Sequence, residues 1–227
     1  MEKYYYRNLE GRILEEAIKN KEYKILNVLK EDRRSKVYLI EVSGKKYVYK
    51  IPVEKNTRKW QRVLSIFRGG ESKREFKSLD RVLKNGFNGP EPLLYWEKRK
   101  WLMVTDSYII SRFIKGCPGE KKDVKIIGKV LEDIHGKGFL HGDSQLPNFM
   151  IDGKKIYLID AKLMRNVYGG FGRAYEFIYL EESYHDILDI YDKESFYYKI
   201  AKMLNTYLHK YGDFRKKIKS IFRGKDK

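Results

Sequence analysis

The sequence predicts an α+β chain in which a β-rich first half is followed by a mostly helical second half. Three observations predict this organisation. Before about residue 110, short segments rich in β-branched and aromatic residues alternate with turn residues, as antiparallel strands do. After about residue 120, apolar residues recur at helical spacing. Within that second half, Asp152-Gly153 separates two apolar runs, which is a strong β-hairpin signal.

In the first half, a short amphipathic helix over Leu9–Ile18 precedes an antiparallel sheet of five strands. Three strands form a meander, and the last two flank a charged turn at 97–100. Two helices, Thr57–Phe67 and Glu71–Lys84, lie between the third and fourth strands, and Gly86 is a stop signal for the second of them. The predicted strands are Tyr23–Leu29, Lys36–Val42, Lys45–Ile51, Leu93–Trp96 and Trp101–Ile110.

In the second half, apolar spacing predicts a helix over 124–134 and another over Ser195–His209. The hairpin between them pairs Phe149–Ile151 with Lys155–Ile159. The glycine-rich segment 169–172 lacks the Lys-Ser/Thr of a P-loop and is predicted to be a flexible loop. The chain therefore divides into a β-rich lobe over 1–110 and a helical lobe over 111–227, which ends in a basic tail.

Composition limits the classes of protein and of partner. The chain has 227 residues, a formal net charge of +18 and 42% hydrophobic residues, which argues for a real core and against wholesale disorder. The single cysteine, Cys117, excludes an internal disulfide and a cysteine-rich zinc site. No apolar run approaches the ~20 residues of a membrane-spanning helix. We expect a soluble intracellular protein whose partner is a polyanion: nucleic acid, an anionic membrane surface or a phosphorylated substrate.

Three oxygen-bearing side chains around the predicted hairpin point to phosphoryl transfer. Asp143 lies on a loop after a helix, where a carboxylate can accept a proton from an attacking hydroxyl. Asn148 and Asp160 lie at the two ends of the hairpin, so their oxygens can converge on one Mg²⁺. A base, a metal ion and a cation on the phosphates are the parts that this reaction needs.

This pattern, His-Gly-Asp-x-x-x-x-Asn followed by Ile-Asp, resembles the catalytic loop and metal-binding strand of the protein-kinase-like fold. It has the His-Gly-Asp form of aminoglycoside and other small-molecule phosphotransferases. The resemblance implies a bilobal protein-kinase-like fold. It also implies that Asp143 is the catalytic base, that Asn148 and Asp160 are metal ligands, and that His141 orients the loop.

The resemblance further implies a nucleotide site in the β-rich lobe and a need for ATP and Mg²⁺. Lys50, on the third strand, matches the phosphate-binding lysine. Glu75, on the helix that follows, matches its carboxylate partner, with Glu71 as the second choice. The segment from Ser111 to Phe113 matches the connector that presents backbone groups to adenine.

Two departures from the kinase pattern bear on activity. The turn Glu31–Ser35 has no glycine where kinases often carry a glycine-rich phosphate loop, although its amides and side chains offer donors. Asp160 is followed by Ala161-Lys162 rather than Phe-Gly, and no long activation segment follows. The second departure argues against a regulated protein kinase.

A narrower resemblance covers nearly the whole chain. The short length, the basic balance, the one-hairpin return to Asp160, the tract 177–184 and the basic run Phe214–Lys227 are together similar to the lipopolysaccharide core heptose kinases, of the heptose(II) kinase type. This resemblance implies a heptose hydroxyl of the core glycolipid as acceptor. It also implies a cytoplasmic protein that is peripheral on the cytoplasmic face of the inner membrane, with the anionic membrane surface as a partner.

The residues leave two other functions open. One is a kinase of another small molecule or of protein, which would use the same ATP machinery. The other is a basic nucleic-acid-binding pseudokinase, whose binding would weaken steeply with salt and would not need Asp143 or Asp160. A complete phosphotransfer set makes nucleic acid the less favoured partner. The acceptor hydroxyl and the oligomeric state are open at this stage.

Overall fold

The computed structural model describes residues 1–183 and 190–223, with residues 212–223 described by their backbone. Contacts within the chain divide it into two compact units. We call the first the sheet unit; it comprises Met1–Pro118 and Asn148–Lys162. We call the second the helical unit; it comprises Gly119–Pro147 and Leu163–Lys227. The predicted lobe boundary at residue 110 stays a prediction.

The sheet unit is built on an antiparallel sheet of six strands in the order β1-β5-β6-β4-β3-β2. Five of the strands confirm the predicted segments to within a few residues at their ends. The charged turn predicted at 97–100 was wrong, because these residues pair with the next strand and the connection is formed by 101–102. The strands are β1 (Glu2–Tyr6), β2 (Lys24–Glu31), β3 (Lys36–Val42), β4 (Lys45–Ile51), β5 (Pro92–Lys100) and β6 (Met103–Arg112).

The prediction of five strands was wrong by one, because no pattern in the sequence predicts strand β1. It pairs with β5 in the register Tyr4 with Trp96. Its five residues are charged or tyrosine, and all but Tyr4 are exposed, so no apolar alternation marks it. Only the free edge of β5 makes this segment extended.

Helix α1 (Leu9–Asn20) covers the sheet through Leu14 and Ala17, which are buried with Leu93 and Leu94 in the main core. Asn8 caps the helix, because its side chain accepts a hydrogen bond from the backbone of Gly11. The predicted helix at 9–18 is confirmed.

Glu10 ties α1 to the sheet through its carboxylate. That carboxylate accepts hydrogen bonds from the Arg112 guanidinium at 2.6 Å and from the Tyr47 hydroxyl at 2.8 Å, and it pairs with Lys45 at 3.3 Å. Partial burial acts to raise the pKa of Glu10, but these donors outweigh it and hold the pKa below its ordinary value. Burial and the bond to Glu10 raise the pKa of Tyr47 to about 12.

Three helices separate β4 from β5: α2 (Val53–Thr57), α3 (Lys59–Arg68) and α4 (Glu71–Lys84). The helix predicted at 57–67 corresponds to α3, and α4 is confirmed at its predicted bounds. A buried polar network fixes this layer on β6. The Ser107 hydroxyl donates to the Asn56 side chain at 2.9 Å and lies 3.0 Å from the Ser72 hydroxyl. Since Asn56 lies in α2 and Ser72 in α4, one strand residue holds both helices.

A second sheet of three strands completes the sheet unit, in the order β10-β9-β7. Strand β7 is Cys117–Pro118, and the predicted hairpin is confirmed as β9 (Phe149–Asp152) and β10 (Lys155–Leu158). Gly153, in the turn of this hairpin, has a φ of 59°, in the left-handed region that Asp-Gly turns favour.

The helical unit contains α5 (Val124–Gly136), the small ladder of β8 (Phe139–Leu140) with β11 (Met164–Arg165), α6 (Gly169–Glu182) and α7 (Phe196–Arg223). Its two predicted helices are confirmed as α5 and α7. Helices α6 and α7 pack around Ala174, Ile178, Tyr198 and Ala201. Among the described residues, none of the helices combines the length and apolar character needed to cross a bilayer.

The loop predicted at 169–172 was wrong, because these residues begin α6. Their glycines serve close packing rather than mobility. A Cβ added at Gly170 would lie 2.5 Å from the ring of Tyr197, and one at Gly172 would lie 2.7 Å from the side-chain oxygen of Asn166. The basic tail and the last residue of the tract 177–184 lie outside the residues whose side chains the structure describes.

Candidate functional site

Within the sheet unit, Lys50 contacts two carboxylates that are remote in sequence. Its ammonium lies 2.9 Å from an oxygen of Glu75 and 2.8 Å from an oxygen of Asp160. Lys50 is on β4, Glu75 is on α4, and Asp160 follows β10. The second choice for the partner, Glu71, instead pairs with Lys55 and Arg74. The structure therefore brings together three of the residues that the sequence singled out.

The sharing of one cation by two carboxylates sets the charges at this cluster. Burial alone would lower the pKa of Lys50, but the attraction of Glu75 and Asp160 outweighs it and raises the pKa above its ordinary value. Burial raises the pKa of Glu75, and Lys50 offsets only part of this effect. Lys50 is thus held as a cation between the two carboxylates.

Asn148 and Asp160 lie at the open end of the β9–β10 hairpin, as predicted. The amide of Ile159 donates to the carbonyl of Asn148 at 2.9 Å, so the two chain segments are adjacent there. Asp160 has a φ of 55°, a left-handed conformation that Asp and Asn tolerate better than other side chains, and its side chain is half-exposed.

The donors at this hairpin end suit Mg²⁺. An amide oxygen and a carboxylate are hard ligands, and Mg²⁺ typically takes one or two carboxylates together with phosphate oxygens and waters. In the part of the chain that the structure describes, no group of three His, Cys, Asp or Glu side chains is arranged to hold a metal ion. A fully protein-ligated metal site is therefore not the arrangement found among those residues.

The turn between β2 and β3, where a phosphate loop is expected, is closed by its own aspartate. The carboxylate of Asp32 accepts hydrogen bonds from the backbone amides of Arg34 and Ser35, both at 2.8 Å. The Ser35 amide is the larger influence, and these bonds lower the pKa of Asp32. The turn thus forms an anion-binding nest without glycine, and the anion it holds is a side chain of the chain itself.

Ser111 and Phe113 lie at the end of β6. Ser111 is buried and pairs with Val48 on β4, so the strand extends beyond the predicted end at Ile110. The amide of Phe113 donates to the carbonyl of Lys46 at 3.3 Å. A role for this segment at adenine stays a prediction.

Asp143 belongs to the helical unit, on a loop whose backbone is fixed by one buried glutamate. The carboxylate of Glu176, on α6, accepts hydrogen bonds from the backbone amides of His141 at 2.9 Å and Gly142 at 2.5 Å. It also accepts one from Nε2 of His135 at 2.9 Å. The amide of Asp143 in turn donates to Nδ1 of His141 at 3.3 Å.

The conformation of this loop explains its His-Gly-Asp sequence. Gly142 has a φ of 88°, which a residue with a Cβ adopts only with strain. His141 is fully buried, and its Nδ1 accepts a hydrogen bond from the amide of Asp143; its role in orienting the loop stays a prediction. Ser144 donates to the carbonyl of Glu176 at 2.7 Å, which adds a third bond between this loop and α6.

Sequence reasoning missed Glu176 and the contact of its partner His135, which by its position in the last turn of α5 would be expected to be a cation at the negative end of the helix dipole. His135 is instead buried, and its Nε2 must carry a hydrogen because a carboxylate oxygen only accepts. A signal was present, since Glu176 is the one charged residue in the apolar tract Ala174–Leu180. A lone carboxylate in a buried helix requires buried donors.

Comparison with known proteins gives a family for this chain. The sequence model described as "Lipopolysaccharide core biosynthesis protein (WaaY)" matches residues 4–220, which is nearly the whole chain. The chain belongs to the WaaY family. It is 24% identical over 168 residues to the lipopolysaccharide core heptose(II) kinase WaaY of Escherichia coli, which covers 69% of this chain and 72% of that protein.

A further relative and a solved structure are also similar to this chain. The chain is 25% identical over 146 residues to the KEOPS complex subunit Bud32 of Pyrococcus abyssi (strain GE5 / Orsay), covering 60% of this chain and 66% of that protein. The solved structure described as WaaP in complex with acyl carrier protein superposes with a TM-score of 0.55 at 16% identity, covering 91% of this chain and 89% of that one. The protein-kinase-like fold is thereby confirmed, and the family and the fold together support a kinase.

Proposed function

We propose that this chain transfers the γ-phosphoryl group of ATP to a heptose hydroxyl of the lipopolysaccharide core. The observation that carries the proposal is the contact of Lys50 with both Glu75 and Asp160 in a chain of the WaaY family. Lys50 is a half-buried lysine whose ammonium is held between the two carboxylates. A lysine fixed in this way, close to oxygen donors that suit Mg²⁺, matches the way in which kinases bind the phosphates of ATP.

The residues of the sheet unit have separate proposed roles toward the nucleotide. Lys50 binds the α- and β-phosphates, and Glu75 holds the lysine in place. Asn148 and Asp160 are the proposed ligands of Mg²⁺, which when bound neutralises charge on the phosphates. The segment from Ser111 to Phe113 is the proposed adenine contact. Asp32 releases the amides of Arg34 and Ser35 when phosphate oxygens take its place.

Asp143 is the proposed base of the reaction. The sugar oxygen forms a bond to the γ-phosphorus, the bond from that phosphorus to the β–γ bridging oxygen breaks, and ADP leaves with the electron pair. The hydroxyl proton passes to the carboxylate of Asp143. Glu176 and His141 act on this step only by holding the Asp143 loop.

The net charge of +18 and the glycolipid acceptor support the anionic surface of the inner membrane as a partner. Each basic residue near such a surface contributes about 1 kcal/mol to binding. We therefore propose that the protein works at the cytoplasmic face of that membrane.

The test measures phosphate transfer from radiolabelled ATP to core oligosaccharide that has been stripped of phosphate. We expect Mg²⁺-dependent labelling that Asp143→Asn and Asp160→Asn abolish. Asp152→Asn, an exposed carboxylate in the hairpin turn, is the matched control and retains activity. If a protein substrate or a free sugar is labelled and the oligosaccharide is not, the proposed acceptor is wrong but the chain is still a kinase.

A thermal-shift measurement separates nucleotide binding from acceptor choice. ATP with Mg²⁺ stabilises a chain that binds it, by about 2.7 kcal/mol when the ligand concentration is 100 times Kd. We expect this stabilisation in the wild type and in Asp143→Asn, and its loss in Lys50→Met and Asp160→Ala. The absence of any nucleotide effect in the wild type would contradict the proposal. RNA binding that is insensitive to Asp160→Ala would favour the nucleic-acid alternative.

A further inference from the structure

Helix α3 of the sheet unit turns an apolar stripe to solvent. Trp60, Val63 and Phe67 follow the i, i+3, i+7 spacing of one helix face, and the exposed fractions of Trp60 and Phe67 are 67% and 86%. The buried residue of the helix is polar: the Ser65 hydroxyl accepts from the amide of Val104 on β6 at 2.8 Å. An amphipathic helix of a globular protein normally has the opposite arrangement.

The turn between β5 and β6 also presents apolar side chains. Trp101 and Leu102 form a two-residue connection between the paired residues Lys100 and Met103, and their exposed fractions are 82% and 66%. Both residues have positive φ, 50° and 65°. Turns of this kind favour Asn and Gly, and bulky residues adopt the left-handed region only with strain. Packing inside the unit does not explain this choice, because both side chains point away from the core.

A buried ion pair fastens the turn to the end of α3. Glu97 is fully buried, pairs with Arg99 at 2.6 Å and accepts from the amide of Gly70 at 2.7 Å. Arg99 also donates to the carbonyl of Leu102 at 2.9 Å. Since Gly70 lies two residues beyond α3, one carboxylate connects the helix end to the turn. The buried ion pair and its hydrogen bonds therefore fix the end of α3 and the turn relative to each other.

Basic residues border this apolar surface. Lys59 precedes Trp60, and Lys98 and Lys100 lie on the strand that leads into the turn; all three are exposed. Tryptophan with an apolar body and a polar N–H favours the boundary between lipid headgroups and acyl chains. Lysines beside it reach the phosphates of that layer while their methylenes stay in apolar surroundings.

We propose that these five apolar residues, which we call the anchor surface, insert shallowly into the headgroup region of an anionic bilayer. The anchor surface comprises Trp60, Val63, Phe67, Trp101 and Leu102. The inference deepens the membrane part of the proposed function and identifies a binding surface other than the basic tail. It rests on the contacts within the sheet unit, and its test needs no phosphotransfer.

The three tryptophans of the chain make a direct test possible. Trp60 and Trp101 belong to the anchor surface, whereas Trp96 is half-buried, with its ring 5.1 Å from that of Tyr108. Three variants of the full chain each keep one tryptophan and carry phenylalanine at the other two positions. The probe is vesicles made of equal parts of phosphatidylglycerol and phosphatidylcholine, with brominated phosphatidylcholine as a quencher.

With these vesicles, we expect the emission of the Trp60-only and Trp101-only proteins to shift to shorter wavelength and to be quenched by the brominated lipid. The Trp96-only protein, which keeps aromatic side chains at positions 60 and 101, still binds the vesicles but shows neither change. Vesicle binding with no response from Trp60 and Trp101 would overturn the proposal and assign attachment to another surface. An absence of vesicle binding would overturn it as well.

Affinity variants give a second readout. Replacing both turn residues, Trp101→Ser with Leu102→Ser, lowers the vesicle partition coefficient about tenfold, because both side chains lose their transfer to the interface. Val167→Ser, whose side chain is 77% exposed in the helical unit, is the matched control and leaves partition unchanged. Lys98→Gln with Lys100→Gln lowers partition about fivefold for each lysine on anionic vesicles only.

Equal partition coefficients for the turn variant and the Val167→Ser control would overturn the proposal. It would also be overturned if the lysine variant weakened binding to pure phosphatidylcholine vesicles as much as it weakens binding to anionic vesicles. The turn variant should also retain wild-type melting temperature and phosphate transfer to water-soluble core oligosaccharide. A failure of phosphotransfer in the wild type would count against the proposed function. The vesicle measurements would still test the anchor surface, because they do not depend on phosphotransfer.

Discussion

Replacement of Glu176 by glutamine tests whether one buried carboxylate holds the loop that carries Asp143. The carboxylate accepts three N–H groups, from the amides of His141 and Gly142 and from Nε2 of His135. Glutamine offers one acceptor oxygen, and its NH₂ group is a donor that faces donors. At least one buried N–H then loses its partner.

The expected cost follows from these contacts. Hydrogen bonds to a charged group contribute about 1.5–3 kcal/mol each, and a buried donor left without a partner costs about 1–3 kcal/mol. Weakening of two bonds at Glu176 therefore predicts a destabilisation of about 3–5 kcal/mol. For a chain of this size that lowers the melting temperature by roughly 10 °C.

The assay combines thermal unfolding with phosphate transfer. Glu182→Gln is the matched control, since Glu182 is on the same helix but is partly exposed and pairs with Asn205 and His209. The Glu182→Gln replacement should lower the free energy of unfolding by no more than about 1 kcal/mol. Because Glu176 positions the loop rather than contacting substrate, kcat of Glu176→Gln should fall about a hundredfold while KM for ATP changes little. Equal melting temperatures and equal kcat for the two variants would refute the reasoning.

Three other predictions follow from single positions. Gly142→Ala, at a φ of 88°, should cost about 1–2 kcal/mol, whereas Gly136→Ala, which has open space at its Cβ, should leave the melting temperature unchanged or higher. Glu10 has a folded pKa below its ordinary value of 4.5, so its stabilisation is present above about pH 4.5 and is lost as the pH falls through the folded pKa. Melting curves of wild type and Glu10→Gln should therefore differ most at neutral pH and converge in acid; a constant difference would contradict the assignment. Ser107→Ala should cost about 1–3 kcal/mol in urea unfolding, because Asn56 loses a buried donor.

The candidate site was accessible from the sequence wherever its chemistry is local. Asp143, Asn148 and Asp160 stand at fixed spacing around one hairpin, and the Asp-Gly turn of that hairpin is itself a local signal. Lys50 was singled out only through the resemblance to the kinase fold, which places a lysine on the third strand, since a lysine on a strand has no signal of its own. The choice of Glu75 over Glu71 needed the packing of α4, which turns Glu75 toward Lys50 and Glu71 toward Lys55.

The sequence by itself therefore determined the helices and strands with clear periodicity, the candidate residues for phosphotransfer and the basic balance of the chain. The tertiary structure decided what depends on partners remote in sequence. Strand β1 exists because β5 offers an edge, and Glu176 holds the Asp143 loop because α6 brings its carboxylate to three donors. The outward apolar face of α3 was invisible in the sequence, because periodicity shows that a helix has an apolar face but not which way that face is turned.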